Sequence, residues 1–309
     1  MRFTKMHGIG NDYVYFDTFT QDIADKPEFV RYVSDRHFGI GGDGAIFINP
    51  SETADCEMEM YNADGSRSEM CGNGIRCVGK YVYDRGLIDK TEITVVSAGK
   101  IRKLSMTAVK EEPNRFTGLK YGKRADGTVI DTVRVDMGEA ILRPEEIPVD
   151  LKNTGVSNNI DEILKNGTDL KTCIAQKIAV NGKIYEMTCV SMGNPHAVFF
   201  VDDVDAYPVD ITGPLIERHE AFPNRVNAEF VKVIDRSNVR MRVWERGTGE
   251  TYACGTGACA VAVACILNGY TDDDVVVHLR GGDLKISYNR ENGRVFMTGS
   301  ATTVCEGEI

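Results

Sequence analysis

The sequence lacks the long apolar runs that membrane proteins and secretion signals require. No segment approaches the roughly 20 consecutive apolar residues of a membrane-spanning helix, and the opening residues, MRFTKMHGIGNDYVYFD, contain no apolar signal core. The sequence also lacks an excess of basic residues. Its net charge of −10 disfavours binding to nucleic acid and to anionic membranes, which would repel it at long range. We therefore expect a cytoplasmic protein whose partner is a small molecule.

The nine cysteines do not form a recognisable metal or redox pattern. Their number is odd, no secretion signal accompanies them, and no two of them are spaced as C-x-x-C. Reduced thiols are therefore expected rather than a disulfide framework, and neither a zinc site nor a thioredoxin-type site is predicted. Most of the cysteines are expected to be small core residues.

Alternating apolar residues predict a strand-rich protein of about two domains, given its 309 residues. The Asn-Gly at 181–182 predicts a tight hairpin, because both residues tolerate positive φ. The predicted strands are Met1–Met6, Tyr13–Phe16, Ala45–Ile48, Cys56–Met60, Ile93–Val96, Lys100–Val109, the hairpin within Ile178–Tyr185, Val275–Leu279, Leu284–Tyr288 and Val295–Thr298.

Two predicted helices, Gly74–Asp84 and Gly257–Leu267, are mainly small or apolar and should be buried. Each half thus reads as strands around one buried helix, an internal duplication with a boundary near Thr128–Thr132. Three shorter surface helices are predicted at Pro27–Arg36, Asn159–Lys165 and Pro214–Glu220, with a proline near the first turn of the outer two. From the residues alone, the final segment could join either sheet.

One short motif occurs twice, immediately before each buried helix: Cys71-Gly-Asn-Gly and Cys254-Gly-Thr-Gly. Asn73 and Thr256 are predicted to be N-caps, which would place each cysteine two residues ahead of the cap. There the helix dipole would lower the thiol pKa, and N–H groups could bind a carboxylate. Either cysteine alone could be a packing residue, but the repetition favours a function. Cys77, Cys259 and Cys265, inside the helices, are predicted to be core.

Two thiols on opposite faces of one carbon could invert it. A thiolate would remove a proton from one face while a thiol returned a proton to the other, which is racemase or epimerase chemistry without a cofactor. Helix N-termini aimed at the substrate carboxylate would stabilise the developing carbanion.

The chain resembles the diaminopimelate epimerases in several motifs placed in the same order. These are KMHGIGNDYV, RHFGIGGDG, YNADGSRSEMCGNGIRC, SMGNPHAVFF, NRVNAEFV, WERGTGETYACGTGACA and MTGSATTVCEGEI. The resemblance implies two pseudo-symmetric α/β (α+β) domains, 1–130 and 131–297, each a rolled, mostly antiparallel sheet or barrel around a central helix. It also implies that 298–309 returns to the first domain and that the active site lies in the interdomain cleft.

The resemblance assigns residue roles as well. It implies acid/base roles for Cys71 and Cys254, and substrate carboxylate binding by the backbone at Gly72, Asn73, Gly255 and Thr256. Further expected substrate-binding residues are Asn11, Asn62, Asn194, Asn227, Glu245 and Arg246. A homodimer is expected, and no metal. Any single Asn could instead merely cap a turn, and Arg246 could form an ordinary ion pair with Glu245.

Two positions are less determined. His196 is a secondary candidate, since a neutral histidine near a cysteine could tune its ionisation or could simply hold a loop. Gly44 departs from the glutamine that many family members carry there, so any side-chain contact from that position is absent.

Three other functions compete with the epimerase. GIGGDG at 39–44 fits G-x-G-x-x-G, but a helix-like segment precedes it and a strand follows, so dinucleotide binding is rejected. A proline or hydroxyproline racemase-like enzyme shares the two-cysteine plan, although such enzymes typically have a histidine in place of Asn73. A catalytically silent amino-acid-binding protein on the same fold is the third alternative.

Overall fold

A computed structural model describes residues 1–68, 71–115, 117–156 and 172–309 of the chain. The predicted helix Asn159–Lys165 lies outside these residues. Packing divides the chain into two units, Met1–Asp136 with Thr298–Ile309 (unit 1) and Met137–Met297 (unit 2). The sequence boundary was placed at 130/131 and 297/298.

Unit 1 is a curved sheet around one buried helix. Its strands are β1 (Arg2–Gly8), β2 (Asn11–Asp17), β3 (Gly44–Asn49), β4 (Cys56–Asn62), β5 (Arg67–Ser68), β6 (Glu92–Ser97), β7 (Lys100–Lys110), β8 (Thr128–Glu139), which extends past the unit boundary, and β18 (Thr302–Glu308). The helices are α1 (Lys26–Ser34) and α2 (Gly72–Asp84). Helix α2 touches β1, β2 and β7, and all of its residues are buried.

Unit 2 repeats this construction. Its strands are β9 (Cys173–Val180), β10 (Lys183–Ser191), β11 (Pro195–Phe200), β12 (Asn227–Asp235), β13 (Asn238–Glu245), β14 (Gly249–Glu250), β15 (Asp274–Leu279), β16 (Gly282–Asn289) and β17 (Arg294–Ser300), whose end lies past the boundary. A 3₁₀ turn occupies Leu151–Asn153, and the helices are α3 (Val209–Glu217) and α4 (Gly255–Leu267). Helix α4 contacts β10, β11, β12, β13, β15 and β16.

The strand pairings match in order and direction. In unit 1, β1–β2 is antiparallel, β2–β3 parallel, β3–β4 antiparallel, β4–β6 parallel and β6–β7 antiparallel. In unit 2, β10–β11, β11–β12, β12–β13, β13–β15 and β15–β16 repeat that series. The outer partners β18 and β9 are both antiparallel. The predicted internal duplication and the predicted α/β fold class are therefore confirmed.

The two units have similar aromatic cores. Phe16 stacks on Phe47 in unit 1 with ring centroids 5.6 Å apart, and Phe199 stacks on Phe230 in unit 2 at 5.9 Å. Each fully buried side chain of this size contributes about 1.5–3 kcal/mol to folding. These rings lie on the central parallel pairs β2–β3 and β11–β12, which makes those pairs rigid supports for residues at their ends.

The predicted strands and hairpin are present, as are the helices following the two motifs and the one at Pro27–Arg36. One helix prediction was wrong in its bounds. Residues Pro214–Glu220 were predicted with proline in the first turn, but α3 begins at Val209 and contains Pro214 in its interior. A Cβ at Gly213 would lie 2.5 Å from the Trp244 Cβ, so close packing on β13 holds this segment in a helix despite the proline.

Candidate active site

Each motif cysteine caps a buried helix. Cys71 has φ −122° and ψ 112°, and its Sγ accepts a hydrogen bond from the Gly74 N–H at 3.3 Å. Cys254 has φ −121° and ψ 108°, and its Sγ accepts from the Gly257 N–H at 3.4 Å. The backbone conformations are the same within a few degrees, so the two units present the two sulfurs in the same way.

The prediction that Asn73 and Thr256 are the N-caps was wrong. Both lie inside their helices as second residues, and the cysteines occupy the cap positions themselves. A thiol sulfur two bonds from Cα reaches the third N–H of the helix as a serine oxygen would. The consequence is that each sulfur lies directly at the positive end of a helix dipole.

Glycine at the third helical position makes room for each sulfur. A Cβ at Gly257 would lie 3.1 Å from Cys254 Sγ, and a Cβ at Gly74 would lie 3.6 Å from Cys71 Sγ. The same Gly74 Cβ would lie 2.7 Å from Ile46 Cδ1, and the Gly257 Cβ would lie 3.1 Å from Glu229 Oε1. Ile46 and Glu229 therefore occupy matching places beside the two cysteines.

In unit 1, Asn11 connects the cysteine to an ion pair. The Cys71 thiol donates to Asn11 Oδ1 at 3.2 Å, and the Asn73 amide donates to the same oxygen at 3.4 Å. The Asn11 amide donates to Asp43 Oδ2 at 2.7 Å, and Asp43 pairs with Arg36 at 2.8 Å. Asp43 thereby fixes the orientation of the Asn11 amide. The sequence missed Asp43 and Arg36, although both lie in the quoted motif RHFGIGGDG.

Two other predicted positions of unit 1 have local roles. The Asn62 amide donates to Ser66 Oγ at 3.0 Å, so it stabilises the turn after β4. A Cβ at Gly44 would lie 2.0 Å from the Tyr61 carbonyl oxygen, because β3 and β4 pair closely there. Glycine is thus the residue that this backbone accommodates, and a glutamine would require the strands to separate.

In unit 2, a connected group of polar side chains surrounds the second cysteine. The Cys254 side chain is 5% exposed, and its Sγ lies 3.6 Å from Thr256 Oγ1. Asn194 Nδ2 donates to Thr256 Oγ1 at 3.3 Å, and Asn194 Oδ1 lies 3.1 Å from His196 Nε2. The His196 Nδ1 lies 2.6 Å from Glu229 Oε1.

Burial and charge set the ionisation of this group. Burial, followed by the charge of the neighbouring Glu245 carboxylate, raises the pKa of Cys254, and the Thr256 hydroxyl and Gly257 N–H act in the opposite direction. Burial lowers the pKa of His196 to about 3, so the ring is neutral near pH 7. The Cys254 thiol is therefore the protonated form at rest, and it needs hydrogen-bond donors whenever it ionises.

Three more predicted residues form the rest of this site. Asn227 donates to the Pro195 carbonyl at 2.8 Å and accepts from the Arg246 N–H at 2.9 Å, which ties the start of β12 to the end of β13. The Arg246 guanidinium donates to the Asn224 carbonyl at 3.0 Å. Glu245 Oε1 accepts a short hydrogen bond from the Thr251 hydroxyl.

Glu229 was missed from sequence. The only available signal was a glutamate within the otherwise apolar strand NAEFV, where an acid is costly unless it has a partner. The buried status predicted for Cys77, Cys259 and Cys265 is confirmed, since each is 0% exposed. Within the described ranges, no cluster of His, Cys, Asp and Glu is arranged to bind a metal ion, and no helix is long and apolar enough to span a membrane.

Comparison with known proteins adds the family. The family described as diaminopimelate epimerase matches residues 3–121 and 188–304. This chain belongs to the diaminopimelate epimerase family. The diaminopimelate epimerases of Agathobacter rectalis and Acetivibrio thermocellus are 52% and 50% identical to it over 309 residues. Those alignments cover 100% of this chain, and 99% and 98% of the respective relatives.

Solved structures support the fold assignment of this diaminopimelate epimerase family member. A Bacillus anthracis phenazine biosynthesis protein of the PhzF family aligns with a TM-score of 0.66 at 14% identity, covering 100% of this chain and 98% of that one. A probable proline racemase from Agrobacterium radiobacter aligns at 0.64 and 13%, covering 100% and 92%. At such identities the likeness concerns the fold alone.

Proposed function

We propose that the chain epimerises LL-2,6-diaminopimelate to the meso form without pyridoxal phosphate, with Cys71 and Cys254 as the two acid/base groups. The observation that carries the proposal is the pair of cysteines with the same cap geometry, one in each unit of a duplicated fold. Family membership supports the substrate. The reaction supplies meso-diaminopimelate for lysine and peptidoglycan precursor synthesis.

Proton transfer would balance between the two sulfurs. One cysteine, as thiolate, takes the α-proton and becomes a thiol. The other, as thiol, gives its proton to the opposite face of the carbanion and becomes a thiolate. Each turnover therefore exchanges the ionisation states of Cys71 and Cys254, and each sulfur must be stable in both forms.

Backbone amides would bind the reacting carboxylate. The first N–H groups of an α-helix have no acceptor inside the helix, and those at Gly72 and Asn73, and at Gly255 and Thr256, are the ones proposed to bind the carboxylate. Such preorganised donors stabilise charge that moves from the α-carbon into the carboxylate. In each helix the third N–H donates to the cysteine sulfur. This supports the proposal that the N–H groups just before it bind an anion beside that sulfur.

The other amino-acid end of diaminopimelate would bind through polar groups of both units. Asn62, Asn194, Asn227 and Arg246 are proposed for that distal end, and Glu245 for the reacting ammonium. Arginine suits a carboxylate because its planar fork donates two parallel hydrogen bonds. Asn11 is proposed to line the pocket beside Cys71. We further propose a homodimer and a cytoplasmic location.

A substrate panel in deuterated solvent tests the reaction and its substrate together. Reduced protein is incubated with LL-diaminopimelate, meso-diaminopimelate, L-proline and 4-hydroxyproline, and α-deuterium and chirality are followed by NMR and chiral chromatography. The proposal predicts inversion and deuterium incorporation with the two diaminopimelates only. Turnover of proline instead would identify a racemase, and unchanged substrate in every case would leave an amino-acid-binding protein.

A further inference from the structure

Glu229 is a buried carboxyl group next to the second cysteine that has no assigned part in the reaction. Glu229 and His196 are both 0% exposed, and the Nδ1–Oε1 distance between them is 2.6 Å. Glu229 Oε2 is also buried, and it has no hydrogen-bond partner among the described residues. An ionised carboxylate in such a place would leave a charged oxygen without a donor, whereas a neutral acid needs only one acceptor for its O–H.

The neutral pair also agrees with the direction of both pKa shifts. Burial and the nearby Glu245 raise the pKa of Glu229, while burial lowers the pKa of His196 to about 3. Glu245 at the end of β13 influences both members of the pair, and Arg246 directly after β13 influences His196. The titratable groups that Glu229 in turn faces are Cys189 in β10 and Cys254 before α4. The lone cation in this set does not reverse the effect of burial on Glu229.

A proton on Glu229 fixes the direction of the hydrogen bonds that lead from Glu229 through His196 and Asn194 to Thr256. The Glu229 O–H donates to His196 Nδ1, so the ring proton must be on Nε2 and donates to Asn194 Oδ1 at 3.1 Å. Asn194 Nδ2 then donates to Thr256 Oγ1 at 3.3 Å. Because Thr256 Oγ1 accepts from Asn194, its own hydroxyl hydrogen can donate to Cys254 Sγ, 3.6 Å away, when that sulfur is a thiolate. We call Glu229, His196, Asn194 and Thr256 the donor row.

Unit 1 surrounds its sulfur with different side chains. There Ile46 occupies the place of Glu229, because Tyr15 pairs with Ile46 as Val198 pairs with Glu229. By the same register Tyr13 occupies the place of His196. Asp43 holds the Asn11 amide so that its Oδ1 accepts from the Cys71 thiol. Cys71 thus faces the Asn11 acceptor together with the Tyr13 hydroxyl, whereas Cys254 faces the Thr256 hydroxyl.

We propose that Glu229 is a positioning residue. As a neutral acid it sets the direction of the donor row, so that the Thr256 hydroxyl donates a hydrogen bond to Cys254 Sγ and stabilises the Cys254 thiolate when it forms. The role of that thiolate in turnover rests on the proposed function. The direction of the donor row does not, because it follows from contacts within unit 2 alone. The donor offsets the burial and the Glu245 charge that otherwise oppose ionisation of this sulfur.

The test compares Glu229→Gln with Glu229→Leu. Glutamine is uncharged and can donate from its amide to His196 Nδ1, so it keeps the direction of the donor row. Leucine resembles the Ile46 of unit 1 and leaves Nδ1 without a donor, so the ring proton can occupy either nitrogen and the row can reverse. The readout is the rate at which iodoacetamide alkylates Cys254 at each pH, followed by mass spectrometry of the Cys254 peptide. The half-reaction pH is the pH at which this rate is half its maximum.

With Glu229→Leu, the half-reaction pH of Cys254 should rise by about one unit, the size expected for losing one hydrogen bond to a thiolate. That of Cys71 should stay unchanged, which makes it the internal control. The kcat on diaminopimelate should fall about tenfold, with KM within about threefold of the native value. Glu229→Gln should match the native protein in all of these.

Nitrogen-15 NMR of labelled histidine shows directly which ring nitrogen of His196 carries the proton in the native chain. His196, assigned by the loss of its signal in His196→Asn, should carry its proton on Nε2 alone between pH 6 and 8. A proton on Nδ1, or on both nitrogens, overturns the proposal even if Glu229→Leu does not fold. The proposal is also overturned if folded Glu229→Leu keeps the native half-reaction pH of Cys254. It is overturned as well if Glu229→Gln changes the half-reaction pH and the kcat as much as Glu229→Leu does. An inactive native protein with the predicted Cys254 titration would instead contradict only the proposed function.

Discussion

At the scale of residues, the two cysteines have the same backbone and different chemical neighbours. Their cap dihedrals agree within a few degrees, and both accept from the third helical N–H. The side chains around them differ, with Asn11, Tyr13 and Ile46 near Cys71 and with Thr256, His196 and Glu229 near Cys254. Duplicated backbone geometry thus supplies the position of each sulfur, while the hydrogen-bonding side chains around the two sulfurs differ.

The buried acid has a consequence for stability. The pKa of Glu229 is raised above its ordinary 4.5, so the folded chain keeps this proton above pH 4.5 while the unfolded chain releases it. The contribution of Glu229 to stability is therefore fully present below pH 4.5 and is lost as pH rises. Glu229→Gln removes this ionisable group. Above pH 4.5, the free energy of unfolding of the variant should therefore increase relative to that of the native chain by up to about 1.4 kcal/mol for each pH unit.

Urea unfolding of both proteins between pH 4 and 8 measures this difference. His196 titrates in both proteins, since the pKa lowering to about 3 comes mainly from burial, and its contribution should largely cancel. A stability difference that stays constant over this range, or that narrows as pH rises, would contradict a protonated Glu229.

At the scale of elements, local sequence predicts much of the structure, and packing determines the rest. The hairpin at β9–β10 follows from Asn181-Gly182, and Asn181 has the expected positive φ of 49°. The helix starts at Cys71 and Cys254 were misplaced because a cysteine cap has no strong sequence preference. Glu229 was missed because its meeting with His196 depends on the parallel pairing of β11 and β12, which sequence spacing does not specify.

Helix α3 shows packing overriding propensity, and Gly213 tests it. A Cβ at Gly213 would overlap Trp244, with distances of 2.5 Å to both Cβ and Cγ. Gly213→Ala should destabilise the protein by about 1–3 kcal/mol, although alanine is the better helix former. The matched control is Ile211→Ala on the same helix, where the side chain is 63% exposed and the change should cost under about 0.5 kcal/mol.

Chemical denaturation of the two variants gives both free energies of unfolding. If Gly213→Ala proved neutral or stabilising, close contact with Trp244 would not be the reason that the chain tolerates Pro214 inside this helix.

At the scale of the whole molecule, the chain repeats one arrangement of strands around a buried helix. Its last strand, β18, belongs to the sheet of the first copy. Strand β18 pairs with β1 across about the full length of the sequence, from Arg2 opposite Glu308 to His7 opposite Thr302. The residues alone left open which sheet this segment joins, because pairing between the two termini depends on the complete fold. The family resemblance gave the expectation that it returns to the first domain.

Removing β18 should affect unit 1 selectively. Deleting residues 302–309 removes the β18 partner of β1 and keeps its pairing with β2, so amides of β1 lose hydrogen bonds. We expect hydrogen exchange in β1 to accelerate at least about tenfold, while the buried helix α4 of unit 2 keeps its protection. Equal acceleration in both units would contradict independent cores, and an unchanged β1 would contradict the pairing.

The proposed mechanism requires two sulfurs that act on opposite faces of one carbon, and the isotope pattern early in the reaction is its sharpest test. LL-diaminopimelate is incubated in deuterated water with the native protein, and substrate and product are separated within the first few per cent of turnover. The two-cysteine mechanism predicts deuterium at the inverted α-carbon of the meso product and none in the recovered substrate, and near-complete loss of turnover in folded Cys71→Ala and Cys254→Ala. Equal labelling of recovered substrate and product, or substantial epimerisation by either variant, would contradict it.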